Sequence, residues 1–332
     1  MIHRLDTAKR VLITGAAGFI GFHLANRLLQ QGVAVTGMDN LNEYYDPALK
    51  LARLDILRQY SGFCFIKGDI ASHDEVIEAF SRSGPDIVVS LAAQAGVRNS
   101  IANPGVYVDS NIIGFYNILE ACRQYKPAHL VYASSSSVYG NQQKTPFSVS
   151  DKTDTPISLY AATKKANELM AYAYAHLYCI SCTGLRFFTV YGPYGRPDMA
   201  YYLFTKNIMD GTPVKVFNDG DMYRDFTYID DIIHCLEIVL YNPPADAPPA
   251  RVYNIGNNHP ERLSDFIAAL EDILGLKAIR QSYPMQPGDA YQTYADIEDM
   301  TEIFGFRPST DMRTGLSKFV EWYKGYKGTS KE

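Results

Sequence analysis

The sequence predicts an α/β protein, a doubly wound parallel sheet followed by a smaller α/β lobe, and three observations carry that expectation. Through the first half, short β-rich runs alternate with longer helical patterns. The first of those runs leads without a break into a glycine-rich turn and an amphipathic helix. After about residue 186 the alternation loosens into short strands, isolated helices and many aromatic residues. Strand, crossover and strand repeated in this way imply parallel pairing with helices on both faces, because a parallel neighbour is reached only through a long connection. At 332 residues the chain can bury one large core or two moderate, closely packed ones.

Taken in order, RVLITG (10–15), VAVTGMD (33–39), FCFIKGDI (63–70), DIVVSLAA (86–93) and HLVYASS (129–135) read as strands, bounded by helical segments such as 19–31 and 74–83. A helix is expected over 159–178, and SCTGLRFFTVYG (181–192) reads as strand after it. In the second part VKVF (214–217), RDFTYI (224–229) and RVYNIG (251–256) are short strands, with a helix over 230–241. The Pro/Ala-rich PPADAPPA (243–250) joins that helix to the next strand, so it is a surface loop and not a linker. Two domains follow from this, 1–186 with a strand and helix returning to it around 228–256, and 187–330.

Composition narrows the function classes. Apolar residues make up 47% and charged residues 20%, and the net charge of -5 comes from no like-charge run, so nucleic acid is not an expected partner. No window approaches the ~20 apolar residues of a membrane span, and MIHRLDTAKR lacks the apolar centre of a signal peptide. A soluble cytoplasmic protein is expected. Five cysteines spread through a long chain do not make a disulfide framework, and Cys179-Ile-Ser-Cys182 reads as small core residues beside a strand and not as a redox pair. No metal site is expected.

The glycine turn, TGAAGFIG at 14–21, has the context that makes such a motif informative: a strand before it and a helix after it. Gly15, Gly18 and Gly21 permit a tight turn, close approach of backbone to a pyrophosphate and close helix-sheet packing, while the helix N-terminus supplies N–H donors. The next strand ends in Asp39, eighteen residues after Gly21. A carboxylate there accepts both ribose hydroxyls and repels a 2′-phosphate, so NAD is favoured over NADP.

Ser134, Ser135, Ser136 and Ser137 end a buried strand in a cluster of hydroxyls, which is a poor design for stability. Twenty-five residues beyond Ser135 comes Tyr160-Ala-Ala-Thr-Lys164, whose i, i+4 spacing puts phenol and ammonium on one helix face. A free tyrosine, with pKa about 10, is a poor base near neutrality. A lysine and a positively charged nicotinamide beside it favour the phenolate. Phenolate, lysine and a serine hydroxyl together remove a proton from an alcohol while its carbon gives hydride to NAD.

At this point the chain resembles the extended short-chain dehydrogenase/reductases, and among them the nucleotide-sugar epimerases. The resemblance runs through nearly the whole sequence: TGAAGFIG, DN at 39–40, GDI at 68–70, LAAQAGVR at 91–98, SNIIG at 110–114, SSSSVYG, YAATK, RFFTVYGPYGRPDMA at 186–200 and RDFTYIDD at 224–231. It implies that Gly15, Gly18, Phe19, Ile20 and Gly21 hold the pyrophosphate of NAD, with Asp39 and Asn40 at the ribose. Asp69 and Ile70 would flank the adenine, Leu91, Ala92 and Ala93 would line the cofactor channel, and Asn111 would support that side of the active site. By the same resemblance Ser135, Tyr160 and Lys164 are the catalytic residues, and Ser136 and Ser137 face the sugar. The related dehydratases carry an Asp-Glu pair just before VYG and the UDP-glucuronate decarboxylases a glutamate at the second of those positions. This chain has Ser136 and Ser137 instead, so the 4-ketose has one productive fate, return of hydride to its other face.

The uridine diphosphate site of these enzymes is similarly implied: Lys215 and Phe217 at the uracil, Arg224 at the diphosphate and Asp289 at the uridine ribose. Relatives acting on UDP-galactose often have an arginine where this chain has Gln286, and Lys206 is a candidate to supply the missing phosphate contact. DNLNEYYDPALKLAR (39–53) and TVYGPYGRPDMA (189–200) resemble the UDP-glucuronate 4-epimerases. A neutral hydroxymethyl group has no use for a buried guanidinium, whereas a C6 carboxylate does, so Arg196 with Thr189 is expected to hold the acid. The resemblance also implies a homodimer through two helices of the first domain. The alternatives are an epimerase of UDP-glucose or UDP-N-acetylglucosamine, a UDP-glucuronate decarboxylase, or a catalytically silent binder of both nucleotides, against which the intact Ser135, Tyr160 and Lys164 argue.

Overall fold

A computed structural model describes residues 5–285 and 290–329. Among the described residues twelve strands run in chain order as β1 (Arg10–Thr14), β2 (Ala34–Asp39), β3 (Phe63–Lys67), β4 (Ile87–Ser90), β5 (His129–Ser135), β6 (Cys182–Phe187), β7 (Thr189–Tyr191), β8 (Val214–Phe217), β9 (Tyr223–Tyr228), β10 (Ala250–Ile255), β11 (Pro260–Arg262) and β12 (Arg280–Tyr283). Seven of them form one sheet in the order β10-β6-β5-β4-β1-β2-β3, every neighbouring pair parallel. Helices cover both faces of this sheet, so its central strands are buried along their length: all of β4 and all of β6 are buried.

The order reverses between β1 and β4, so the crossovers from those two strands leave on opposite faces of the sheet and open a crevice at the carboxyl ends. Register puts the chemistry-bearing ends side by side. Thr14 lies opposite both Met38 and Ser90, and Ser135 opposite Phe187. The chain then leaves the sheet and builds the smaller lobe from β7, β9 and β11 in one sheet and β8 with β12 in another. Before completing it, the chain returns. Helix Ile229–Leu240 packs on helix Phe19–Gln30, and β10 pairs in parallel with β6 at the sheet edge.

One continuous apolar cluster runs from Val11 and Leu28 under the sheet through Tyr191, Tyr201 and Phe226 to Phe319 and Tyr323 in the C-terminal helix Met312–Thr329. The two lobes therefore share a core, and the cleft between them has rigid walls. The other sheet face is covered separately by helices His73–Ser83, Gly114–Tyr125 and Leu159–Tyr178. Cys182 is buried within β6, Cys179 is exposed at the end of the preceding helix, and all five cysteines are free thiols. Among the described residues no helix is long and apolar enough to cross a membrane.

Asp225 ties the smaller lobe together. Its buried carboxylate accepts the backbone N–H groups of Asn257, Asn258 and Ala295 and the Thr227 hydroxyl, joining β9 to two loops. Burial pushes this carboxyl up to about 6, against the pull of its donors. Since the folded value lies above the unfolded one, the stability this group contributes is full below pH ~4 and lost as pH rises through about 6. The slope should amount to ~3 kcal/mol at most, at 1.36 kcal/mol per pH unit. In Asp225→Asn an amide NH2 would meet N–H donors, costing ~1–3 kcal/mol, and the slope would vanish. Urea midpoints measured from pH 4 to 7 for both proteins check this; equal pH slopes would show that Asp225 stays ionised throughout.

Candidate active site

The glycine turn is built by β1 running past the end of β2. Gly15 N–H donates to the Met38 carbonyl at 2.7 Å, and Gly18 N–H to the Gly15 carbonyl at 2.9 Å. Gly15 has a φ of +74°, and a Cβ there would stand 2.7 Å from the Ala92 backbone nitrogen. A Cβ on Gly21 would fall on the Gly15 carbonyl oxygen. Only hydrogens fit at these two positions, and the turn leads into helix Phe19–Gln30, whose first turn has no side-chain cap.

Asp39, at the end of β2, accepts the Ala17 N–H at 3.1 Å and the Leu41 N–H at 2.9 Å, which fixes its carboxylate beside the turn with lone pairs to spare. Asn40 donates to Asp69 at 2.9 Å. Ile70 packs on the backbone of Gly114, where a Cβ would overlap it. Leu91 and Ala92 are held by the Thr14 carbonyl and hydroxyl. Asn111 is buried outside the cleft lining. Its amide and oxygen take the backbone of Gln94, and its amide also reaches the Thr163 hydroxyl at 3.0 Å, so it braces the loop after β4 against helix Leu159–Tyr178.

The four serines point different ways. Ser134 is turned inward, its hydroxyl 2.6 Å from Glu168, which is in a buried ion pair with Arg186. Strand alternation turns Ser135 outward toward Tyr160, where its hydroxyl lowers the phenol's proton affinity and accepts the Ser137 N–H at 3.2 Å. Ser136 and Ser137 follow in a 3₁₀ turn and line the cleft. The helix carrying Tyr160 and Lys164 starts at Ser158, whose hydroxyl accepts the Ala161 N–H, so Tyr160 falls in the first turn and Lys164 in the second. Lys164 donates to the Ala133 carbonyl at 2.9 Å, and burial alone lowers its ammonium to about 8. Burial raises the Tyr160 phenol, while the Ser135 hydrogen bond and the Arg196 charge act against that rise.

Arg196 comes from the loop after β7 and reaches the same wall. Burial opposes its charge, and the Asp198 carboxylate more than restores it. Thr189, Lys215, Phe217 and Arg224 complete the far side of the cleft. Arg224 donates to the Tyr223 and Tyr291 carbonyls. The Phe217 ring contacts the tilted ring of Tyr283, centroids 5.6 Å apart, and the Arg98 guanidinium at 5.2 Å. Lys206 is not brought into the cleft. It stands on the outer face of helix Ala200–Met209 within 3.6 Å of Asp210, because the residues of that helix that face inward are Leu203, Phe204 and Asn207. Asp289 and Gln286 lie outside the described residues.

The whole forms a single cleft of ≈ 1180 Å³. That exceeds the ~300–1,000 Å³ of an ordinary single-ligand pocket and leaves room for two nucleotides end to end. The glycine turn with its uncapped helix and the spare acceptors of Asp39 fit the pyrophosphate and ribose of a dinucleotide. Sequence reasoning missed Arg98, Arg53, Tyr44 and Asp198. Arg98 lay within the quoted LAAQAGVR, yet only the fold shows it crossing to Phe217 of the other lobe. Arg53 ends the quoted DNLNEYYDPALKLAR without being singled out there, and it is fully buried. Its guanidinium donates to the Ala17 carbonyl and the Tyr45 hydroxyl at 2.7 Å each and to the Tyr194 carbonyl at 2.6 Å, joining the glycine turn to the smaller lobe.

The chain matches the NAD dependent epimerase/dehydratase family over residues 11–256. It is 48% identical over 337 residues to UDP-glucuronate 4-epimerase 2 of Arabidopsis thaliana, covering 97% of this chain and 77% of that one. It is 44% identical over 329 residues to a probable UDP-glucuronate 4-epimerase of Rhizobium meliloti (strain 1021), covering 95% and 96%. Among solved structures, UDP-glucuronic acid 4-epimerase from Bacillus cereus in complex with UDP-glucuronic acid and NAD superposes with a TM-score of 0.89 at 34% identity, covering 96% of this chain and 99% of that one.

Arg53→Met would leave the Ala17 and Tyr194 carbonyls buried without donors. A loss of ~3 kcal/mol is expected, from about 1–3 kcal/mol for each orphaned group. Guanidinium unfolding at pH 7 measures it, and a loss under ~1 kcal/mol would mean that water replaces the guanidinium.

Proposed function

Since the chain belongs to the NAD dependent epimerase/dehydratase family, we propose that it inverts C4 of UDP-glucuronate, giving UDP-galacturonate through a transient 4-keto sugar. One observation carries the choice of sugar: a guanidinium, Arg196, is set into the sugar end of the cleft close enough to Tyr160 for each to shift the other's proton affinity. Asp198 occupies one edge of that guanidinium, and a C6 carboxylate can take the edge left over whereas a hydroxymethyl group cannot do so bidentately. The UDP-glucuronate bound by the Bacillus cereus relative and the names of the plant and Rhizobium relatives support the same reading.

The residues divide the work. Gly15, Gly18 and Gly21 with Phe19 and Ile20 hold the pyrophosphate of NAD, Asp39 and Asn40 its adenosine ribose, Asp69 and Ile70 its adenine, and Leu91, Ala92 and Ala93 line its channel. When bound, NAD supplies an acceptor for the C4 hydride and gives it back within the same cycle. Tyr160 takes the proton of the C4 hydroxyl and returns it to the same oxygen after the ketose has turned to present its other face. Arg196 favours the Tyr160 phenolate, and Lys164, one helical turn further on, keeps a charged ammonium below about pH 8. Ser135 donates to the same sugar oxygen, and Ser136, Ser137 and Thr189 line the carboxylate end. With hydroxyls before Val138-Tyr139-Gly140, no second acid-base pair is at hand to divert the ketone. Lys215 and Phe217 take the uracil and Arg224 the diphosphate. Arg98, not Lys206, is the cation placed to make up for Gln286.

The protein is further proposed to work in the cytoplasm as a homodimer. Helices Gly114–Tyr125 and Leu159–Tyr178 lie side by side and expose Tyr116, Leu169, Tyr172 and Leu177, an apolar surface that a second copy would cover.

Incubation with UDP-glucuronate, UDP-glucose and UDP-N-acetylglucosamine, with products identified by NMR, tests the reading. Epimer should form from UDP-glucuronate with no growth of free NADH, and stoichiometric NADH would instead mark a dehydrogenase. Tyr160→Phe should lower turnover by ~10²- to 10⁴-fold with substrate affinity near normal. Ser135→Ala should lose turnover too, whereas Ser134→Ala should act through stability, since its hydroxyl serves Glu168.

Arg196→Ala has a distinct signature. A β-keto acid loses carbon dioxide when its carboxylate stands perpendicular to the ketone, so freeing that carboxylate should raise KM for UDP-glucuronate and release a pentose side product. Mass spectrometry of the products decides it; unchanged affinity with no pentose would mean that Arg196 does not hold the acid.

A further inference from the structure

The Arg196 guanidinium is not aimed by its own backbone. Its Nε and Nη2 donate to the two carboxylate oxygens of Asp198 at 3.0 and 2.5 Å, a bidentate contact along one side of the fork. The Tyr44 hydroxyl, from the opposite lobe, donates to Asp198 Oδ2 at 3.1 Å, and the Tyr44 ring lies 5.7 Å from the guanidinium. Tyr44 belongs to the loop that follows Asp39 and Asn40. That loop is anchored in turn, since Lys50 donates to the Asn42 carbonyl and side chain at 2.8 Å each. On its far side the Tyr44 hydroxyl rests against Gly96, where a Cβ would come within 2.9 Å.

An aspartate is a poor neighbour for a cation meant only to attract an anionic sugar, because it cancels the field that would draw the substrate in. Its contribution must therefore be one of geometry. With Nε and one side of Nη2 occupied, the guanidinium offers a carboxylate just one bidentate edge, Nη1 with the second Nη2 proton. An arginine without that contact can turn about its last side-chain bonds and follow the carboxylate instead of fixing it.

We propose that Asp198, seated by Tyr44, is a positioning residue: it holds Arg196 so that its one remaining edge meets the C6 carboxylate of a uronic acid in a fixed plane, and thereby keeps the 4-keto intermediate from decarboxylating. The proposal rests on the assignment of UDP-glucuronate as substrate. In the suppressed reaction the C5–C6 bond breaks, its electron pair passes into the C4 ketone as an enolate, carbon dioxide leaves and C5 takes a proton from water. Keeping the carboxylate near the ketone plane removes the overlap that step needs.

The test compares Asp198→Ala, Asp198→Asn and Tyr44→Phe with Arg196→Ala, measuring the ratio of UDP-pentose to UDP-hexuronate products, KM for UDP-glucuronate, UDP affinity by calorimetry and retained NAD. Asp198→Ala should raise the pentose ratio about tenfold, equal to 1.36 kcal/mol between the two fates, while KM stays level or falls because the cation is no longer masked. Asp198→Asn and Tyr44→Phe should move the ratio in the same direction by less. Unchanged UDP affinity and NAD content establish that the folded sites persist, and a purely structural role would disturb both without changing the ratio. If Arg196→Ala releases pentose and neither Asp198 variant does, Asp198 does not position it and the proposal is overturned with the substrate assignment intact. If Arg196→Ala itself yields no pentose and leaves KM unchanged, the carboxylate assignment falls, and this proposal with it.

Discussion

A buried ion pair behind the serine cluster sets the geometry on which the site depends. Arg186, in β6, holds Glu168, on helix Leu159–Tyr178, through two contacts of 2.8 Å, and Glu168 in turn accepts the Ser134 hydroxyl of β5. Tyr139 adds its hydroxyl to the same guanidinium at 2.9 Å. Two strands and a helix are thus pinned by one charge pair that could not persist without its hydrogen bonds. The helix presents Tyr160, Lys164 and Glu168 at four-residue intervals to consecutive residues of β5. Glu168 takes Ser134, Lys164 takes the Ala133 carbonyl, and Tyr160 meets Ser135. Fixing Ser134 inward forces Ser135 outward, since successive strand side chains alternate.

The chemistry that follows needs opposed environments close together. Lys164 is buried enough to lower its ammonium to about 8, yet it keeps a carbonyl to donate to, so it can be a cation without being satisfied by a carboxylate. Arg196 reaches Tyr160 from the other lobe and favours the phenolate from a second direction. Arg98, Lys215 and Arg224 also line the cleft. The chain as a whole carries a net charge of -5, so this local reversal of sign is a property of the cleft and suits a ligand with a diphosphate and a carboxylate.

The shared core makes that arrangement rigid. β7 leaves the sheet directly after β6, and helix Ile229–Leu240 and β10 return to it, so the smaller lobe is threaded through the larger one and not appended to it. Arg53 completes the join at the cleft itself, with its guanidinium shared between the glycine turn and the Tyr194 carbonyl. Residues more than a hundred positions apart in sequence can then be held to distances at which hydrogen bonds and fields act.

By itself the sequence determined whatever is encoded locally. The parallel strands were legible as short apolar runs between helical segments, the cofactor turn as glycines between a strand and a helix, and the Tyr160–Lys164 pair as one helical turn. These signals survive because backbone periodicity fixes neighbours within a few residues. Tertiary structure alone decided what depends on partners distant in the chain. Nothing local marks Arg53, which gains its partners Tyr194 and Ala17 only in the fold, and Arg98 gains its place only where Phe217 of the other lobe comes beside it. Lys206 carried the right charge but stood on the outer face of its helix, where Asp210 is its neighbour. Arg196 was legible as a cation in a loop, but its aim was not. That is set by Asp198 two residues on and by Tyr44, which lies 154 positions before Asp198, a distance that only folding closes.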